Sequence, residues 1–92
     1  MLISLIENRM LDDVHRRALE RLEECVEQQV FSQIVDDCLQ ELSIERVSRP
    51  QELLEMGDCL MRLSKGSPRH NGTISMMGRL MRTRAILLGA KV

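Results

Sequence analysis

Apolar residues recur at Leu11, Val14, Ala18, Leu22 and Cys25, with spacings of 3, 4, 4 and 3. A second row runs through Phe31, Val35, Cys38 and Leu42, spaced 4, 3 and 4. Both follow the helical period. Between the rows, Glu20, Glu23, Glu24 and Glu27 crowd one stretch and must stay in water. Asp12 and Asp13 suit the first turn of a helix, near its positive dipole end. No Gly or Pro occurs before Pro50, so nothing demands a break. The pattern assigns residues 11–45 to one long acidic helix, about 51 Å over residues 11–44 at 1.5 Å per residue. The alternative is a bent helix or a hairpin, broken near Gln28, Gln29 and Ser32, with Ser32 as N-cap.

The next boundary is sharper. Ser48-Arg49-Pro50-Gln51-Glu52 reads as a helix start, with Pro in the first turn, Ser48 as cap and Gln51 or Glu52 completing a capping box. Leu53, Met56, Leu60 and Leu63 then mark a helix over 49–64. Residues 65–72 are rich in turn formers and read as a loop. A last helix, 73–89, carries the stripe Ile74, Met77, Met81, Ala85 and Leu88, with Arg79, Arg82 and Arg84 off it. Folded back end to end, these two helices would just cover one face of the long one. The apolar segment at 1–10, with Leu2, Ile3, Leu5 and Ile6, is then left with little room and is expected to need a partner or a second copy. The expectation is a single all-α domain over 1–92. It is a small helical bundle of one long (or bent) amphipathic helix plus two shorter ones, forming a dimer.

Composition thins the core further. Phe31 is the only aromatic residue, so Leu, Ile, Val and the seven Met must fill the interior. Met-rich surfaces repack readily around partners, and small chains with thin cores gain stability by assembling. Cys25, Cys38 and Cys59 are odd in number and irregularly spaced, which points to half-buried free thiols in a reducing compartment rather than a disulfide framework. The N-terminal apolar run of about six residues is too short for a signal peptide or a span. A cytoplasmic location is expected.

Charge is polarised along the chain. Residues 1–58 hold all 14 acids and six basic residues, a net −8, while 59–92 hold seven basic residues and no acid, a net +7. Such polarity points to charged partners or to the chain's own other half. Nucleic-acid contact would use Lys65, Arg69, Arg79, Arg82 and Arg84, which can also serve as anion ligands. Against it stands the lack of aromatic side chains to stack on bases. No Cys or His pair has zinc-ligand spacing, no nucleophile motif surrounds a cysteine, and Gly66 to Gly72 does not match a phosphate loop. No cofactor, metal or enzymatic activity is expected. The favoured function is a protein–protein interaction module, an adaptor, chaperone or small regulator that self-associates. It would bind through Leu2, Ile3, Leu5, Ile6, Met77, Met81 and Leu88. Nucleic-acid binding through the basic third is the alternative.

Overall fold

A computed structural model describes residues 2–92. Met1, the first residue of the apolar N-terminal segment, lies outside the described residues. The described chain is all-helical: α1 (Leu2–Leu5), α2 (Asp13–Glu24), α3 (Gln28–Leu42), α4 (Pro50–Leu63) and α5 (Asn71–Leu87). Short 3₁₀ turns stand at Asn8–Met10 and Ser64–Gly66.

Residues 11–45 form two helices, as the alternative of a break near Gln28 has it, and not one long helix. The N-cap residue of the second is Glu27, with Ser32 inside the helix. The rows explain why. From Cys25 to Phe31 is six residues, a rotation of about 240° beyond a full turn, so one straight helix cannot turn both rows to the same core. The chain breaks at Cys25–Glu27 instead. Cys25 and Val26 donate their N–H groups to the carbonyls of Leu22 and Glu23, tightening the last turn of α2. Val26 dives into the core, and α3 restarts with Phe31, Val35 and Cys38 buried. A helix of about 51 Å would also overrun a molecule whose longest extent is 32 Å.

The phase of α2 differs from the expected one as well. Its buried line runs Leu11, Leu19 and Val26, with half-buried His15 and Leu22 between them. Val14 is 76% exposed, and Cys25 is exposed too. The inward line passes through a histidine, which an aliphatic row does not reveal.

α3 stops without glycine. Ser43 adopts the left-handed conformation at φ 56°, and Ile44 N–H donates back to Leu39 O at 3.1 Å. This six-residue closure satisfies carbonyls that the helix end leaves open. α4 begins as expected, with Pro50 in its first turn, but Arg49 rather than Ser48 is the N-cap residue. The Glu52 carboxylate accepts from the backbone N–H groups of Ser48 (3.0 Å) and Arg49 (3.2 Å) and from Ser48 Oγ (3.1 Å).

The apolar N-terminal segment is covered by its own chain. Leu2 N–H donates to Glu23 Oε1 at 3.0 Å, which seats α1 on α2. Ile6 forms a parallel bridge to Val47: Val47 N–H donates to Leu5 O (2.7 Å) and Glu7 N–H to Val47 O (2.9 Å). The α3–α4 connection and the N-terminal segment thus hold each other, and Leu2, Ile6 and Val47 are buried together in the core. α4 and α5 form the most extensively packed pair, with α2 laid against α5 and α3 against α4.

Candidate interaction surface

The α4–α5 hairpin fixes everything outside it. Its antiparallel register is pinned at three levels: Ser64 Oγ lies 2.8 Å from Asn71 Oδ1, Gly57 faces Gly78, and Gln51 exchanges two 3.1 Å hydrogen bonds with the Lys91 backbone. A Cβ added at Gly57 would sit 2.6 Å from Gly78 O, and one at Gly78 would sit 2.5 Å from Gly57 O. Only hydrogen fits at either position, so the helix backbones touch there.

The polarised charge is spent largely inside the protomer. Arg62 pairs with Glu41, Arg69 with Glu27 (3.4 Å), Arg82 with Asp58 (2.6 Å) and Arg84 with Asp12 (3.6 Å). Each pair joins the acid-free third to the acidic part. Arg82 Nε approaches the Asp58 oxygen off the N–H axis, so this contact is ionic rather than an aligned hydrogen bond. Arg84 Nε also donates to Met10 O at 2.8 Å. The hydrogen bond from Arg62, and a second from Cys59, hold the Glu41 carboxyl below its usual range. Asp12 is lowered by the N–H and ring of His15 and by Arg84. Among the described residues, Lys65 and Arg79 make no ion pair. They border a shallow groove of about 580 Å³ with Asn71 and Ser75, where the Asp58 carboxylate offsets their charge.

The residues expected to meet a partner lie elsewhere. Leu2, Ile6, Met77 and Met81 are fully buried core residues, and Ile3, Leu5 and Leu88 are half-buried against that core. None of the four buried side chains can touch another molecule while this fold is intact. Of the five cations expected to bind anions, Arg69, Arg82 and Arg84 are held by acids of the same chain, leaving Lys65 and Arg79.

What α5 does present is a second apolar row. Its inner face buries Ile74, Met77, Met81 and Ala85. Its outer face carries Met76 at 54% exposure, Leu87 at 68% and Ile86 at 44%, with half-buried Leu80 and exposed Thr83 between them. Met76, Leu80, Thr83 and Leu87 are spaced 4, 3 and 4, so the row was readable in the sequence. It was eclipsed by the stronger row on the opposite face. A surface helix ordinarily puts polar residues outward; α5 is apolar on both sides. Large apolar side chains clustered in the open mark contact surfaces.

The thiols divide by depth. Cys25 is exposed, while Cys38 and Cys59 are buried. Burial pushes both buried thiols up, most strongly Cys38, and each lies against the other beneath the Glu41–Arg62 pair. Cys59 Sγ donates to Glu41 Oε2 at 3.2 Å. Among the described residues, no group of three or more His, Cys, Asp or Glu side chains is placed to hold a metal ion. No described helix is long and apolar enough to cross a membrane. Comparison of the chain with protein-family models, curated proteins and solved structures found no match.

Proposed function

We propose that this chain is a non-enzymatic protein–protein interaction module, of the adaptor, chaperone or small-regulator kind, whose contact surface is the outer face of α5. The observation behind this reading is the apolar row of exposed Met76, Ile86 and Leu87 with half-buried Leu80 among them, on a helix whose other face already fills the core. Interfaces place apolar residues at their centre and charges at the rim, and Arg79, exposed and in no ion pair among the described residues, borders this row. The internal pairing of Arg69, Arg82 and Arg84 weighs against the nucleic-acid alternative, because each phosphate contact would have to displace an acid already in place.

Photo-crosslinking in the producing cell tests the reading. A photoreactive side chain at Thr83 should give discrete protein adducts, to another protein or to a second copy, that disappear on adding Met76→Glu. The same group at Asp36, on the exposed side of α3, should give none. Absence of adducts at Thr83, or equal adducts at both positions, would overturn it.

A further inference from the structure

We infer that Cys38 and Cys59 are a redox pair, closed to a disulfide by a small hydroperoxide, with Glu41 as its brake and Arg62 as its activator. The two cysteines stand on neighbouring helices, Cys38 on α3 and Cys59 on α4, and both are buried. Their thiols lie against each other. Each is followed three residues later, on the same helix face, by a charged residue: Glu41 after Cys38 and Arg62 after Cys59. These two pair with each other across the helices, so a half-exposed ion pair covers the thiols. Cys59 touches both members. Its Sγ donates to Glu41 Oε2 at 3.2 Å and accepts from Arg62 Nη2 at 3.4 Å.

The same sulfur thus meets opposing charges. A thiolate is the nucleophile; an adjacent guanidinium favours it and an adjacent carboxylate opposes it. With Glu41 ionised and in place, Cys59 stays a thiol and the pair is quiet. Once Glu41 is neutralised or drawn away, Arg62 is left beside Cys59 and stabilises its thiolate. Both covering side chains are half exposed, and surface side chains change rotamer on the nanosecond scale, which admits a peroxide but not a bulky aromatic reagent.

The reaction balances. Cys59 loses its proton to water, and the thiolate attacks the terminal oxygen of the hydroperoxide. The O–O bond breaks, and the leaving alkoxide takes up a proton to give an alcohol, or water where hydrogen peroxide is the oxidant. Cys59 is then a sulfenic acid. Cys38 Sγ attacks that sulfur, the S–O bond breaks, and water leaves with the Cys38 proton. Two thiols and one hydroperoxide give a disulfide, an alcohol and water, with two electrons passed from sulfur to oxygen. The bond ties α3 to α4 and closes the loop through residues 39–58, which should raise the midpoint of thermal unfolding by about 10 °C or more.

The test exposes the reduced Cys25→Ser chain to hydrogen peroxide in native buffer and maps its tryptic peptides without reductant. Cleavage after Arg46 separates the cysteines, so a joined pair of Cys38 and Cys59 peptides reports the bond. That pair should form, disappear on adding a dithiol, and bring the rise in thermal midpoint with it. Glu41→Gln should speed its formation several-fold. Arg62→Gln loosens the same cover yet should slow it, because the carboxylate is left alone beside Cys59. Both sites are half exposed, so each reduced variant should keep its helical circular dichroism. No joined pair, while exposed Met76 in the same sample is oxidised, would overturn the proposal. Oxygen accumulating on Cys59 without the link would do so too, as would two substitutions that shift the rate in the same direction.

Discussion

Gly57 and Gly78 press carbonyl against Cα–H at the centre of the α4–α5 hairpin, each standing where the other's Cβ would clash at about 2.6 and 2.5 Å. Alanine at either site must push two helix backbones apart, since the obstacle is a carbonyl oxygen and not a yielding side-chain tip. Gly57→Ala and Gly78→Ala should each cost about 2–3 kcal/mol, at the upper end for overpacking. Gly72→Ala is the control: it lies in the first turn of α5 with open space around it, and helix propensity predicts a gain of about 0.5–1 kcal/mol. Denaturant titration of the three variants separates backbone contact from propensity.

Glu52 couples α4 to pH. It is only 8% exposed, and its pKa is held below the usual carboxyl range, first by the Ser48 backbone N–H. A folded pKa lowered relative to the unfolded chain means that its contribution is fully present above the unfolded value of about 4.3 and is lost as pH falls through the folded value. Glu52→Ala should cost about 1–3 kcal/mol at neutral pH, by stripping buried donors of their acceptor. The gap between variant and parent should close on acidification. A constant gap across the acid limb of a stability–pH curve would contradict this account.

Two arginines on one helix should behave oppositely. Arg84 is largely buried, donates to Met10 O and faces Asp12, so Arg84→Ala should lose about 1–3 kcal/mol of folding stability. Arg79 is exposed and makes no ion pair among the described residues, and Arg79→Ala should stay within about 0.5 kcal/mol of the parent. Thermal melts at low concentration read both.

The thiols give a fold-integrity readout. In native buffer an aromatic disulfide reagent should label Cys25 quickly and leave Cys38 and Cys59 untouched, because they are buried and their thiolates are disfavoured. All three should react in denaturant. Rapid native labelling of three thiols would show that α3 and α4 separate readily.

The helices around Pro50 and the loop before α5 were legible because their signals are local. Proline, a nearby carboxylate and a run of turn formers act within a few residues of where they stand. The α2–α3 break was legible only in part. No breaker residue marks it, and the six-residue step from Cys25 to Phe31 was visible but carries weight only once both rows must face one core. The placement of Met77 and Met81 was not legible, because it depends on distant elements: with α2 and α3 folded apart, α4 and α2 close over that face of α5.

The amino-acid order alone established an all-helical chain, the polarity of its charge and the periodicity of each apolar row, since these depend on spacing along a single helix. Which row turns inward was decided only by the packed structure. α5 carries an apolar row on each face, and Gly78 admits α4 at backbone contact beside the Met77–Met81 row, which is the one buried. The fate of the charges followed from that choice: the hairpin brings Arg82 beside Asp58, and the packing of α2 on α5 brings Arg84 beside Asp12, residues far apart in sequence that no local rule connects.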